Sequence, residues 1–131
     1  MSFLRKIDKE LKALKGSYSE DELEAISKHG TIIDLPPGKV LFPEGQAGTE
    51  SAIILSGQAK LSTNGANISL LEPGAVVGEA AILTGEPRTT TVSSVSMLKV
   101  SVLNAGALLS VIEESPDFRS RIGVTIEADA A

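Results

Sequence analysis

The chain has 131 residues, a formal net charge of −5 and no cysteine, so it can form no disulfide, thiolate metal site or cysteine nucleophile. Its length predicts one domain, and its negative charge argues against a nucleic-acid-binding surface, which needs clustered Lys and Arg. No apolar run approaches the roughly 18 residues that cross a bilayer, and charges stand where a signal peptide has its apolar core, so we expect a cytoplasmic protein.

The first sixteen residues have the pattern of a basic amphipathic helix. They carry five basic and two acidic side chains, a net charge of +3, which leaves −8 for the rest of the chain. Gly16 stands where a helix would stop. Two interpretations are open: a helix packed on the domain, which we favour, or an element that contacts an anionic membrane or a partner helix. The apolar residues that recur at helical spacing are Phe3, Leu4, Ile7, Leu11 and Leu14.

A second helix is predicted to begin at Ser19 and to end at His29. Ser19 and Glu22 have the spacing of a capping box, in which each residue satisfies an amide of the other. His29 is the single histidine of the chain. It has no cluster of histidine, cysteine or carboxylate ligands around it in the sequence, so we expect a structural role and not a catalytic one.

Between Thr31 and Leu103 the chain breaks into short segments bounded by Gly, Pro or Asn. This pattern is typical of a sandwich or roll and not of βαβ units. Asn64-Gly65 predicts a hairpin. The predicted fold class is therefore mainly β with flanking α-helices. The predicted strands are Thr31–Leu35, Lys39–Phe42, Ser51–Leu55, Gln58–Thr63, Ile68–Leu71, Thr89–Ser94 and Met97–Leu103.

Two short helices are predicted after the strands. The first runs from Ala105 to Glu114 with Asn104 as its cap. The second begins at Ser115-Pro116-Asp117, which supplies a capping hydroxyl, a proline for the first turn and an acid against the helix dipole. The inward face of the first helix is predicted to be Leu108, Leu109 and Ile112. The apolar stripe of the second is predicted to be Phe118, Ile122 and Ile126.

The run GEAAILTGEPRTTTV, which begins at Gly78, is the candidate functional motif. Gly78 permits a tight backbone approach, and the amides of Ala80 and Ala81 would open a single helical turn whose unpaired N–H groups favour an anion. Arg88 supplies a guanidinium that can hold two phosphate oxygens. Glu79 would repel a phosphate, so its expected partners are hydroxyl groups such as those of a ribose. The motif therefore predicts that different residues bind the sugar and the phosphate.

This run resembles the phosphate-binding cassette of the cyclic nucleotide-binding domain family. The family pattern is Gly-Glu, four mostly apolar residues, a short variable stretch, and Pro-Arg followed by Thr, Ser or Ala and a strand. The resemblance implies an eight-stranded, jelly-roll-like β-roll, or double-stranded β-helix, with N-terminal helices and two short C-terminal helices. Further marks of the same β-roll are Pro36-Pro37-Gly38, Phe42-Pro43-Glu44-Gly45, Gly48, Ile53-Ile54-Leu55-Ser56-Gly57 and Glu72-Pro73-Gly74.

The same resemblance implies a role for each residue of the cassette. It places the ribose 2′-hydroxyl on Glu79 and the cyclic phosphate on Arg88 and on the amides of Ala80 and Ala81. It places the hydroxyl of Thr89 on the phosphate or on a guanine edge.

The resemblance also names apolar residues that would face the base. Leu61 and Leu71 are on strands that flank the base in the family, although plain core packing is the alternative for both. Val77 stands where the family often has an aromatic residue, which predicts looser packing against the base.

The implied function is that of a non-catalytic regulatory module that binds cAMP, or alternatively cGMP, without a metal. Residues 1–16 would form the amphipathic helix and residues 17–131 the nucleotide-binding domain with a truncated last helix. Binding would move the helices from Asn104 onward, which would contact an effector or a second copy. In the family the last helix carries a lid residue, whereas Ala128-Asp129-Ala130-Ala131 offers none, unless a lid lies beyond Ala131.

Two other functional classes are alternatives to this hypothesis. A degenerate member of the fold could act as an interaction module without ligand, but Glu79, Arg88 and Thr89 argue against it. A metal-dependent cupin enzyme would share the outline of the roll. Such an enzyme needs a cluster of histidine and carboxylate ligands, and one histidine cannot supply it, so we expect no enzyme.

Overall fold

The computed structural model describes residues 7–122. Within that range the chain forms eight strands in two antiparallel sheets, with helices at both ends. The strands are β1 Thr31–Leu35, β2 Val40–Phe42, β3 Glu50–Ser56, β4 Ala59–Thr63, β5 Ala66–Leu71, β6 Val76–Val77, β7 Thr91–Ser94 and β8 Leu98–Asn104. The helices are a 3-10 helix Lys9–Leu14, α1 Glu20–His29, α2 Glu79–Thr84, α3 Ala105–Glu114 and α4 Pro116–Ile122.

Each sheet has four strands, in the orders β1-β8-β3-β6 and β2-β7-β4-β5. The predicted mainly β fold with flanking helices is confirmed, and seven of these eight strands overlap the predicted ones. Strand β6 was missed because two residues carry no readable alternation. The Asn64-Gly65 hairpin is also confirmed, since it joins β4 to β5 and both residues have the positive φ of a tight hairpin turn.

Strand β3 lies between two hydrophobic clusters. Alternate side chains of a strand point to opposite faces. Ile53 and Leu55 accordingly pack into a cluster with the helices, while Ala52 and Ile54 pack into a second cluster between the sheets. Burial on both faces explains why this strand reads as a continuous apolar run and not as an alternating one.

The N-terminal helix is shorter than predicted within the described range, and it has 3-10 geometry. It spans Lys9–Leu14, and the part of the prediction that concerns residues 1–6 lies outside the described residues. Side chains three apart are stacked in a 3-10 helix, and Leu11 and Leu14 are both buried in the helical cluster. These two leucines therefore serve packing on the domain, which is the favoured of the two interpretations.

Helix α1 has the predicted bounds and the predicted cap. The Ser19 hydroxyl accepts a hydrogen bond from the Glu22 amide at 3.2 Å, and the Glu22 carboxylate accepts one from the Ser19 amide at 2.9 Å. His29 Nε2 lies 2.7 Å from a carboxylate oxygen of Glu114. That contact ties the end of α1 to the end of α3, as a structural role for His29 requires.

Helix α3 begins and ends as predicted, but one residue of its inward face was assigned wrongly. Asn104 caps the helix by accepting from the Ala107 amide at 2.8 Å. Leu108 and Val111 are buried, whereas Leu109 is 54% exposed. A helix advances by about 100° per residue, so Leu108 and Val111 share the inward face and Leu109 turns away from it.

Helix α4 begins at the predicted signal. The Ser115 hydroxyl accepts from the Phe118 amide at 3.2 Å, and Phe118 is fully buried against the helical cluster. Ile126 and the residues after it lie outside the described residues. Over the range 7–122, no helix is both long and apolar enough to pass through a bilayer.

Candidate functional site

A cavity of about 370 Å³ opens where β6, α2 and the segment before β7 meet the strands β4 and β5. It lies at the edge of the cluster between the sheets. All nine residues that the sequence nominates contribute to its lining, although that position does not establish their roles. They are Leu61, Leu71, Val77, Gly78, Glu79, Ala80, Ala81, Arg88 and Thr89.

Gly78 occupies the position where the backbone turns from β6 into α2. Its φ is 83°, in the left-handed region that favours glycine. A Cβ atom there would lie 2.8 Å from both the Arg88 guanidinium and the Phe42 ring, and 3.0 Å from the Glu50 carbonyl oxygen. Glycine is thus required by the local backbone and by three neighbours. The close approach that the sequence predicts at this residue is present.

Arg88 is held on three sides at the wall of the cavity. Its guanidinium donates to the carbonyl oxygens of Glu50, at 2.6 Å, and Gly78, at 3.3 Å. It also lies over the Phe42 ring, 4.1 Å from the centroid. An arginine has five N–H donors, so these contacts fix its orientation and leave capacity for an anion.

The surroundings of Arg88 have two opposing effects on its pKa. Desolvation lowers the pKa of Arg88 below its usual value, while the nearby Glu50 carboxylate raises it. Arginine remains protonated in proteins despite such shifts. The cavity therefore holds a fixed positive charge.

Glu79 is the first residue of α2 and is half-buried at the cavity. Burial raises the pKa of the Glu79 carboxyl, and the backbone amides of Glu79 and Ala80 partly oppose that shift. A half-buried carboxylate that is poorly solvated gains from a hydroxyl donor. Glu79 is suited to accept a hydrogen bond from a ligand.

Helix α2 is a six-residue segment that presents its beginning to the cavity. The first four amides of a helix have no partner within it, and here they include those of Ala80 and Ala81, both of which line the cavity. The other side of the helix is apolar: Ile82 and Leu83 pack against the helical cluster. One short element therefore contacts both the cavity and the helical core.

The remaining wall of the cavity is formed by apolar side chains. Leu61 and Leu71 lie on the paired strands β4 and β5, are partly buried, and pack against the cluster between the sheets. Val77 is buried beside them and, like them, lines the cavity. Base contact and core packing are therefore not exclusive for these residues, because the same cluster forms the cavity wall.

Seven other residues line the cavity that the sequence analysis does not nominate individually, among them Phe42, whose ring packs against the Arg88 guanidinium. The sequence gives Phe42 only as the end of a strand and a mark of the β-roll, and no local signal connects it to a residue so far along the chain. The other six are Val76, which precedes the run that begins at Gly78, and five residues within that run: Thr84, Glu86, Pro87, Thr90 and Val92. Among the residues that the structure describes, no group of three or more His, Cys, Asp or Glu is arranged to hold a metal ion.

Comparison with known proteins identifies relatives of this arrangement. The CRP-like cAMP-activated global transcriptional regulator of Mycobacterium tuberculosis is 25% identical over 105 residues, which cover 76% of this chain and 47% of the regulator. The cAMP-dependent protein kinase regulatory subunit of Yarrowia lipolytica is 32% identical over 90 residues, which cover 67% of this chain and 23% of the subunit. The chain thus spans less than half the length of both relatives.

The fold is also similar to that of a solved structure. The catabolite activator protein of Thermus thermophilus superposes with a TM-score of 0.72 at 21% identity, over 90% of this chain and 57% of that chain. The family model described as cyclic nucleotide-binding domain matches residues 32–115, well over half of the sequence. The cavity, the cassette and the β-roll around them therefore belong to one known domain type, and this chain is a member of the cyclic nucleotide-binding domain family.

Proposed function

We propose that this chain is a non-catalytic regulatory module whose cavity binds a cyclic nucleotide, with cAMP preferred over cGMP. The observation that carries the proposal is the orientation of Arg88, whose guanidinium is fixed by two carbonyl oxygens and a ring at the wall of a cavity of about 370 Å³. That volume is within the usual range for small-ligand sites.

The phosphate of the nucleotide binds at the end of the cavity that holds Arg88. The guanidinium supplies charge-assisted hydrogen bonds, which are stronger than neutral ones. The amides of Ala80 and Ala81, at the start of α2, supply two further donors. Both kinds of donor suit a singly charged cyclic phosphate.

The ribose binds at Glu79. A carboxylate accepts hydrogen bonds but cannot donate them when ionised, so its partner is a hydroxyl group and not a phosphate oxygen. A 2′-deoxy nucleotide lacks that hydroxyl. It is expected to bind more weakly for this reason.

The base faces the wall formed by Leu61, Leu71 and Val77. This wall offers no hydrogen-bonding side chain, and a polar group that loses water without a new partner costs free energy. Guanine carries more such groups on its edge than adenine does, which favours cAMP. Thr89, exposed at the rim, is the hydroxyl that could compensate part of this cost for cGMP.

Binding is transmitted to the C-terminal helices through α2. Ile82 and Leu83 of α2 pack in the same cluster as Leu108 of α3 and Phe118 of α4. A ligand that fixes the start of α2 therefore changes the packing of α3 and α4. Their partner is an effector protein or domain, or a second copy of the chain.

Calorimetric titration with cAMP, cGMP and the corresponding linear monophosphates tests the ligand. We expect cAMP to bind most tightly and the linear monophosphates least. Absence of binding by both cyclic nucleotides at millimolar concentration would contradict the proposal and favour a ligand-free interaction module. Hydrogen exchange tests the coupling: unchanged protection after Asn104 at saturating nucleotide would reject it.

A further inference from the structure

Tyr18 lies at a junction between the helices and the turn that leads into the cassette. It is 4% exposed, and its hydroxyl donates to the Gly74 carbonyl oxygen at 2.6 Å. The guanidinium of Arg121, on α4, lies over the Tyr18 ring, 3.6 Å from its centroid. One side chain thus contacts both the last described helix and the segment between β5 and β6.

Arg121 is fixed above Tyr18 by a buried carboxylate. Its Nε and Nη2 donate to the two carboxylate oxygens of Glu22 at 2.7 and 2.8 Å, and Nη2 also donates to the Ser17 carbonyl oxygen at 2.7 Å. Glu22 is 2% exposed. Two parallel hydrogen bonds combined with stacking on a ring form a geometry that arginine satisfies and lysine does not. Helix α4 therefore has one defined position against α1.

The other contact of Tyr18 leads to the cavity. Gly74 lies in the turn before β6, and this turn is paired with β3 because the Gly74 amide donates to the Ile54 carbonyl oxygen and the Ile54 amide to that of Ala75. Val76 and Val77 follow, and both line the cavity. The pKa of Tyr18 is raised to about 12, chiefly by burial; Arg121 lowers it, and the carboxylates of Glu22 and Glu79 add smaller increases.

We propose that Tyr18 is a positioning residue that couples the packed position of α4 to the part of the cavity that holds Gly78 and Arg88. Its hydroxyl holds the turn at Gly74 and thereby the approach of β6 to Gly78. Its ring, which also packs in the helical cluster, is covered by Arg121 while α4 lies against Glu22. Release of α4 would loosen the cassette, and occupation of the cavity would secure α4. The proposal deepens the proposed function and depends on it for the identity of the ligand.

A double-mutant cycle on the full chain tests this coupling. Affinity for cAMP is measured by calorimetry for the wild type, Tyr18→Phe, Arg121→Lys and the double variant. Tyr18→Phe removes only the hydroxyl, and Arg121→Lys keeps the charge but loses the two parallel bonds. We expect each single change to weaken binding about fivefold and the double variant to be no weaker than either, because both changes break the same connection.

Arg119→Lys is the matched control on the same helix. Arg119 donates to the carbonyl oxygens of Ile112 and Glu113 and should leave the affinity within about twofold.

The remaining outcomes separate this proposal from the proposed function. Independent, additive losses, or wild-type affinity in Arg121→Lys, would overturn the coupling. If Arg121→Lys does not fold, unchanged affinity in Tyr18→Phe overturns it. If the wild type binds neither cyclic nucleotide, the proposed function fails, and amide exchange without ligand decides the coupling. Faster exchange at Val76 and Val77 in either single variant supports it, and unchanged exchange in both overturns it.

Discussion

The two walls of the cavity differ in chemistry: one is polar and charged, and the other is apolar. The side proposed to bind phosphate consists of a glycine in the left-handed region, the amides at the start of α2 and a guanidinium fixed by backbone oxygens. The side proposed to face the base consists of two partly buried leucines and a buried valine that also belong to the core between the sheets. The first wall restricts the charge of a bound group and the direction of its hydrogen bonds. The second wall restricts only the shape of the group that packs against it. Affinity should therefore depend on the phosphate side, and the choice between bases should be weak.

Removal of Arg88 is the strongest way to test this contrast. Arg88→Ala should cost about 2–5 kcal/mol of cAMP binding free energy, because a buried phosphate loses its countercharge. Calorimetry of the variant and the wild type measures the difference. The free energy of unfolding should fall by only about 1–2 kcal/mol, since two hydrogen bonds to carbonyl oxygens are lost. Equal affinity in the variant would show that the phosphate binds elsewhere.

Gly78→Ala tests whether the phosphate side needs its backbone geometry. The new Cβ would meet the Arg88 guanidinium and the Phe42 ring at 2.8 Å. We expect a loss of about 2–4 kcal/mol of unfolding free energy from combined strain and overpacking. Gly85→Ala is the control, because Gly85 also has a positive φ, 76°, but no atom within 4 Å of the added Cβ. That change should cost only about 1–2 kcal/mol. Equal losses in chemical denaturation would show that contact with Arg88 is unimportant.

Glu79→Gln should separate binding from stability. Replacement of a charged acceptor by a neutral one should weaken cAMP binding by about 1 kcal/mol. The same change should stabilise the unliganded chain at neutral pH, because burial disfavours the ionised carboxyl of Glu79. Calorimetry and chemical denaturation measure the two effects. A variant that is both weaker in binding and less stable would contradict this assignment of Glu79.

The pH dependence of stability checks the same residue. The pKa of Glu79 is raised above its ordinary value of 4.5 on folding, so the folded chain binds this proton more readily than the unfolded chain. The contribution of Glu79 to the free energy of unfolding is therefore full below pH 4.5 and is lost as pH rises through the raised pKa. The difference between wild type and Glu79→Gln should grow over that window. A difference that is flat with pH would rule out a raised pKa.

The smallest effect is expected on the base side. Leu71→Ala should weaken cAMP and cGMP binding equally, by about 1 kcal/mol, because it removes apolar contact without removing a hydrogen bond. Thr89→Ala is the comparison, since a hydroxyl at the rim would serve guanine more than adenine. It should lower the affinity for cGMP more than that for cAMP. A change in base preference in Leu71→Ala would show that the apolar wall selects the base.

The parts of this structure that could be predicted from the sequence are those encoded over short distances. The capping box at Ser19 and Glu22, the cap at Asn104 and the Asn64-Gly65 hairpin each depend on residues within a few positions. The cassette is also local. Its glycine, helix and arginine lie within one short run, and the structure brings the nominated residues to one cavity.

The features that could not be predicted depend on residues distant in the chain. Arg121 and Glu22 are 99 residues apart, and nothing in the neighbourhood of either one identifies its partner. Phe42 likewise acquires its role only when β2 pairs with β7, next to Arg88. Leu109 was assigned to the core because it is apolar, but the helix phase is set by Leu108 and Val111.

Helix α2 belongs both to the cavity and to the helical core, through Ala81 on one side and Ile82 and Leu83 on the other. A nucleotide bound there would therefore stabilise the chain as a whole against unfolding, by about 2.7 kcal/mol at a concentration one hundred times its dissociation constant. Proteases act on opened chains in proportion to their population. The lifetime of the protein in the presence of a protease would then report the concentration of its ligand.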